Sequence, residues 1–324
     1  MNAKWIVLSL VSSPAIIFWP CIPHAQQYPS SSIRFIVPAS PGGGTDFFAR
    51  IIGQKLSETW GQQVIVDNRP GAAGNIAATF VAKSSADGYT INIVGMGHSV
   101  TISLYRAPGF DPVRDFAPIT LVAEMPSFLV VHPSLPVKSV KELVALAKAN
   151  PGKLNYSSGG NGNPGHLSGE LLKMLAGIQV VHVPYGAGVA STLGVVRGEA
   201  ALEFNNLLTV DPHIKSGKLK VLAAAGSKRA VQLPEVPTIA ESGVPGYELV
   251  QWYGVLAPAG TPRPIVDRIN TEMVKILKLP DVRERFFAIG ADPIGNRPEE
   301  FDALIKSEIT KWAKVIKEAG MRID

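Results

Sequence analysis

The stretch "IRFIVPASPGGGTDFFARIIGQKL", residues 33–56, decides the fold. Ile33 to Val37 is a short apolar, β-branched run that reads as a buried strand. From Asp46 to Trp60, Phe47, Phe48, Ile51, Ile52, Leu56 and Trp60 recur at helical spacing, and Gly61 ends the pattern. Between strand and helix lie Pro38 to Asp46, with Gly42, Gly43 and Gly44 in a row. Glycines there either make a tight turn or let backbone approach a ligand, and position alone leaves both open. A loop after a strand and before a helix sits where α/β sheets bind ligands. Free N–H groups at the helix start attract anions. Asp46 reads as a residue that caps the helix or fixes the loop. Arg50 lies four residues on and is spaced to pair with it.

The alternation continues on both sides of that unit. "QVIVDN" (63–68) and "TINIVG" (90–95) are strands around a helix that ends near Lys83. This is a βαβαβ order, which predicts a parallel sheet with right-handed crossovers. Downstream, "FLVVH" (128–132), "LNYSS" (154–158), "QVVHVPY", "AALEF", "KLKVLAAA" and "WYGVLAP" (252–258) are further strands. Ser139 and Glu142 form a capping box for a helix ending at Asn150 to Gly152. Thr261 is placed to cap a helix with Pro262 at its first position, and Pro298 opens a last helix that Gly320 closes. The expectation is two α/β units in series and a helical tail, without a low-complexity linker. Clefts between such units favour ligands.

The chain has 324 residues, 46% hydrophobic and 18% charged, a globular composition. Its start reads as an address. Lys4 precedes the apolar run Trp5 to Trp19, and "PHAQQ" offers cleavage after Ala25. Pro14 and the short run argue against a membrane anchor. The bulky Phe18, Trp19 and Pro20 argue against lipidation of Cys21, the only cysteine. Without residues 1–25 the chain has no thiol, as suits an oxidising compartment. It then carries 30 basic and 26 acidic residues, a net charge of +4. The basic residues are scattered with no stripe interleaved with aromatics, which argues against nucleic acid.

A second loop, "SSGGNGNPGHLSGELL" (157–172), also joins a strand to a helix. Gly160 to Gly165 match the dinucleotide fingerprint, but the next strand ends without an acid to hold a ribose. What survives is a second anion-friendly helix start, so two loops would face a carboxylate at each end of a ligand. The catalytic search is thin. "GHSVT" (97–101) fails the nucleophile-elbow pattern at its last position. His98, His132, His182 and His213 show no paired metal spacing, HExxH is absent, and Trp252 and Trp312 read as packing residues. No cofactor or metal is expected.

These loops resemble the Bug, or TctC-type, extracytoplasmic solute receptors of bacterial tripartite tricarboxylate transport systems. The matching stretches are the opening one, "VIVDNRPGAAGNIAA", "ADGYTINIVG", "FDPVRDFAPITLVA", "PGKLNYSSGGNGNPGHLSGELL", "VVHVPYGAG", "LPEVPTIAESGVPGYE" and "YGVLAPAGTPRPIVDRIN", in family order from about residue 30 onward. The resemblance implies an α/β fold of two Rossmann-like lobes in the type II periplasmic-binding-protein arrangement, with a ligand cleft between them. Residues 26–125 plus 248–324 would form the first lobe and 126–247 the second. It implies a monomeric periplasmic receptor, not an enzyme, that closes on a small carboxylate held by backbone N–H groups and waters. The partners would be the membrane subunits of a transporter. Carried over, the site comprises Ser40, Pro41, Gly42, Gly43, Gly44, Thr45 and Asp46; Gly95, Gly97, His98 and Ser99; Gly159, Gly160, Asn161, Asn163 and His166; and Tyr185 and Asn205. Gly186 replaces the family's usual lysine and Asn205 its usual aspartate, which bears on ligand identity. The competing classes are a sensory receptor with the same cleft and a secreted enzyme acting on a carboxylate.

Overall fold

The computed structural model describes residues 28–186 and 188–321. The expected export segment, Cys21 and the expected cleavage position after Ala25 lie outside the described residues. Strand β1 (Ile33–Val37) pairs in parallel with β2 (Val64–Asn68) and with β3 (Thr90–Gly95). Helices α1 (Gly44–Trp60), α2 (Asn75–Ala82) and α3 (Gly97–Leu104) follow them in turn. α1 starts at Gly44, two residues before the expected start at Asp46. It ends at Gly61, whose φ of 65° is left-handed and whose N–H donates to Ser57 O.

These three strands are parallel, as their βαβαβ order predicts, and the next strand of the sheet reverses direction. β9 (Val250–Pro258) lies antiparallel between β3 and β4 (Phe116–Val131). A short apolar run has the same side-chain pattern in either direction, so its sequence does not reveal this. The sheet is mixed, in the order β2-β1-β3-β9-β4-β7-β5-β6, with β7 (Leu202–Asn206), β5 (Asn155–Ser158) and β6 (Val181–Pro184). Strand β8 (Lys220–Ala224) and the short β10 (Asp292–Pro293) also pair with β4.

β4 holds the two units together. It pairs with β9 through Pro126 and with β7 from Ser127 onward. The chain returns beside this point. Leu249 N donates to Ala225 O at 2.8 Å, and Gln251 Nε2 donates to Ser127 Oγ at 2.9 Å. Two crossings therefore run side by side. The strand expected at 128–132 is only the second half of β4, and the first half carries Pro118 and Pro126. Proline removes a ladder donor. Here the ladder shifts register between Pro118 and Thr120, and Pro126 sits where one pairing hands over to another.

Helices cover both faces. α1, α8 (Arg263–Leu277) and α9 (Pro280–Phe287) bury Phe48, Ile52, Met273 and Phe286 against one face of the first unit. A second core runs under α2, α3 and α10 (Pro298–Glu318) and on into the second unit beneath α4 (Val140–Ala149) and α5 (Pro164–Ala176). α6 (Gly188–Val196) and α7 (Leu207–Lys215) close the third. α10 begins at Pro298, as its proline predicts, and packs on α3, β4 and α5, touching both units.

Two caps differ in detail. Ser139 Oγ accepts from Glu142 N, but the Glu142 carboxylate reaches Lys138 N, one residue before the usual partner. Thr261 does not cap α8. Its hydroxyl donates to Pro258 O at 2.8 Å, closing the turn after β9, and the helix begins at Arg263.

Candidate functional site

A cavity of about 300 Å³ lies at the carboxyl ends of β1 and β3, beside the first residues of β9. Four helices begin on its wall: α1 at Gly44, α2 at Asn75, α3 at Gly97 and α5 at Pro164. The first three have no side-chain cap. At α1 the N–H groups of Gly44, Thr45 and Asp46 have no partner among the described residues, because the first closing bond is Phe47 N to Gly43 O. At α3 the same holds for Gly97 and His98. Open helix starts carry partial positive charge and hydrogen-bond donors, which together favour an anion. No Asp, Glu, Lys or Arg lies on this wall.

Asp46 shapes the first loop. Its Oδ2 accepts from Gly42 N at 2.9 Å and from Arg50 Nε at 2.8 Å, and its Oδ1 accepts from Asn68 Nδ2 at 2.9 Å. Burial alone would raise its pKa, but the hydrogen bonds from Arg50, Gly42 and Asn68 outweigh it and hold the carboxyl below the ordinary range. Gly42 has φ 86°, which L side chains rarely adopt, and a Cβ on Gly44 would stand 3.3 Å from the Tyr253 hydroxyl. Backbone shape favours glycine at 42, and a Cβ at 44 would press the Tyr253 hydroxyl back by a few tenths of an ångström.

Gly44, Thr45, Gly95, Gly97 and His98 line the cavity; Ser40, Pro41, Gly42, Gly43, Asp46 and Ser99 do not. The His98 ring is turned to Pro112 O at 2.9 Å and packs on Phe110 and Phe116. Burial pulls its pKa down to about 4, so it is neutral at physiological pH. Ser99 Oγ donates to Met96 O.

The second loop is different. Asn163 Oδ1 caps α5 by accepting from His166 N at 2.9 Å, and Pro164 has no N–H. Gly162 N donates to His166 Nδ1 at 3.0 Å and Gly160 N to Ser158 Oγ at 3.1 Å. Only Pro164 of this loop reaches the cavity; Gly159, Gly160, Asn161, Asn163 and His166 do not. His166 stacks on His182 at 3.8 Å, and His182 Nε2 lies 2.6 Å from Ser158 Oγ, so both rings brace the loop. Burial, then His182 and Lys173, pull the His166 pKa down to about 3. Asn161 and His166 line a separate cavity of about 270 Å³ with Glu170, Lys173 and the end of α10.

Tyr185 and Asn205 are also off the main wall. The Tyr185 hydroxyl donates to Glu199 Oε2, and Asn205 Nδ2 donates to Gly188 O and Thr192 Oγ1, tying β7 to the start of α6. Beside Asn205, Glu203 is fully buried; Ser191 donates to its Oε2 at 2.7 Å and its Oε1 has no partner among the described residues. Burial pushes its pKa up from 4.5 to about 6, and the polar side chains of Thr192, Ser191 and Asn205 offset only part of it. A raised carboxyl pKa means that the folded state holds the proton more tightly than the unfolded chain. Stability therefore falls as pH rises from about 4.5 to about 6 and is level above, a loss of about 2 kcal/mol. In urea melts at stepped pH, Glu203→Gln should gain on the parent across that window and then run parallel to it. A parallel course throughout would contradict a raised Glu203.

Several wall residues had no sequence signal. Trp252, read as a packing residue, does pack edge-on against Phe301 at 5.6 Å. It also lines the cavity, with its Nε1 buried and unpartnered among the described residues. Thr45 Oγ1 is likewise buried and unpartnered on the same wall. Asn75 Oδ1 accepts from Thr101, which turns its Nδ2 donor elsewhere. The Tyr253 hydroxyl donates to Gln251 Oε1. Ala78, Val94, Met96 and Phe110 supply the apolar remainder.

Comparisons with known proteins fit this geometry. Residues 48–321 match the family described as "Tripartite tricarboxylate transporter family receptor". The chain is similar to Protein BugT of Bordetella pertussis, 35% identical over 301 residues, covering 92% of each chain. Among solved structures it is similar to Rpa4515 of R. palustris with adipate, at 40% identity and a TM-score of 0.81, over 91% of this chain and all of that one. It is also similar to MatC of Rhodopseudomonas palustris with bound malate, at 32% identity and a TM-score of 0.75, over 89% of this chain and all of that one.

Proposed function

The chain belongs to the tripartite tricarboxylate transporter receptor family, and on that premise we propose that it is an exported receptor that captures a small carboxylate by closing two lobes. The lobes are residues 26–125 plus 248–324 and residues 126–247. Hinge motion takes place at the paired crossings near Pro126 and Leu249. Residues 1–25 direct export, and the captured acid is passed to membrane subunits of a transporter. The observation that carries this reading is the cavity with open helix starts and no charged side chain. Such a wall binds an anion through backbone donors that cost no reorganisation. Adipate and malate, bound to similar proteins, are both carboxylates. The closed form gains population only by the ligand's differential affinity for it.

Thermal melts of residues 26–324 against mono-, di- and tricarboxylates test the reading. A ligand at 100 times its Kd adds about 2.7 kcal/mol, equivalent to a rise of several degrees for a chain of this size. Small-angle scattering should show a smaller radius of gyration with the same ligand. No shift with any carboxylate, alongside a clear shift with amines or sugars, overturns the assignment.

A further inference from the structure

We propose that Gln251 is a positioning residue that couples the cavity to lobe closure: one end of its amide is bonded to the cavity wall and the other to the first crossing strand. This rests on the carboxylate-receptor reading and deepens it, because it names the side chain through which a bound ligand reaches the hinge.

Gln251 stands on the second crossing, in the first residues of β9, and lines the cavity. Its Oε1 accepts from the Tyr253 hydroxyl at 3.4 Å. Tyr253 lines the same cavity and packs its ring on Phe48 of α1 at 4.7 Å. Its hydroxyl is 3.3 Å from where a Cβ on Gly44 would stand, at the open start of that helix. The other end of the amide, Nε2, donates to Ser127 Oγ at 2.9 Å. Ser127 is fully buried on the first crossing and does not line the cavity.

The bond falls where backbone pairing between the crossings is thin. The β4–β9 ladder ends at the pair Pro126 and Val250, and Pro126 has no N–H to give it. One residue on, the two strands part. Ser127 pairs with Asn206 of β7, and its carbonyl accepts from Ala225 N, while Leu249 N donates to Ala225 O. Ala225 is thus bonded to both crossings, and the Gln251 side chain ties them together past the end of their ladder. Hinges turn at a few such residues that absorb the backbone change. With both ends of the amide held, a ligand seated against Gln251 and Tyr253 meets a wall that is already ordered, which spares it the cost of ordering one. Without the Ser127 bond the amide is free to turn, and the ligand must order the wall and the junction together.

A double-mutant cycle on residues 26–324, read by calorimetric titration, tests this. The probe is adipate, or whichever carboxylate raises the melting temperature most in the screen above. Ser127→Ala removes one oxygen from a residue off the wall, yet it should weaken binding by about three- to tenfold. Gln251→Leu, similar in size but without either polar end, should weaken it at least as much. The double variant should bind like Gln251→Leu alone, because its second change removes a bond already gone. Far-UV circular dichroism should match the parent in all three. Ser127→Ala binding within about twofold of the parent, or losses that multiply in the double variant, would overturn the coupling while leaving the carboxylate receptor standing. Should no carboxylate of any kind bind the parent, the receptor reading falls and the coupling with it. The Ser127→Ala arm decides on its own, so a misfolded Gln251→Leu protein would not shield the proposal.

Discussion

A Gly254→Ala variant is expected to melt well below the parent and to lose ligand affinity with it. Gly254 sits in β9, two residues from Trp252 and on the same face of the strand. A Cβ there would stand 2.0 Å from Phe301 Cζ, with two more ring carbons at 2.6 and 2.7 Å. Phe301 is fully buried in the first turn of α10, so its ring has no solvent to retreat into. Overpacking of this kind costs about 3 kcal/mol where the neighbour cannot yield, or a fall of about 5–10 °C in melting temperature. The effect reaches the site because Phe301 packs edge-on against Trp252, which lines the cavity. Differential scanning calorimetry and titration with a carboxylate read both consequences. Adding Phe301→Leu should restore part of the stability, because the shorter side chain vacates the ring's space. A fall of less than about 2 °C in the single variant would show that the ring moves aside at little cost.

That coupling was not legible in the sequence, and the reason is general. Periodicity locates elements but not their direction or neighbours. "IRFIV" and "WYGVLAP" look alike as strands, yet the first pairs in parallel with both its neighbours and the second is antiparallel to both of its own. β4 was half hidden because Pro118 and Pro126 argue against a strand unless the register shifts around them, as it does. Helices with clear punctuation fared better. Gly61 and Gly320 end theirs in left-handed turns, and Pro298 opens the last one.

The site divides the same way. Its local part was readable: a glycine-rich loop before a helix with no capping side chain leaves N–H groups bare, and Asp46 four residues before Arg50 pairs with it. The second loop had the same composition but the opposite chemistry. Asn163 caps its helix and the His166 and His182 rings brace its backbone. Composition counts glycines; it does not say which N–H groups already have partners. Trp252 was invisible as a wall residue because its burial and its orphaned N–H exist only once β9 is placed beside β3.

Asp46→Ala should bind carboxylates at least about tenfold more weakly and lose about 2–3 kcal/mol of stability. Two effects oppose each other here. Removing a carboxylate near an anion site lessens repulsion, which on its own would tighten binding. Arg50, 2.8 Å away, already offsets that charge, so the gain is small. The loss is larger, because Asp46 is 2% exposed and holds Gly42 N–H, Asn68 and Arg50 together. Without it the first turn of α1 no longer faces the cavity with its donors aligned. The pH dependence has a definite sign. A carboxyl held below its ordinary pKa stabilises the fold above the ordinary carboxylate range, and that contribution is lost as pH falls through its lowered pKa. The parent should therefore lose stability in acid more steeply than Asp46→Ala, and the two urea-denaturation curves should converge at low pH. Tighter carboxylate binding by the variant at neutral pH would mean that charge outweighs loop shape, and would reassign Asp46 from scaffold to gatekeeper against anions.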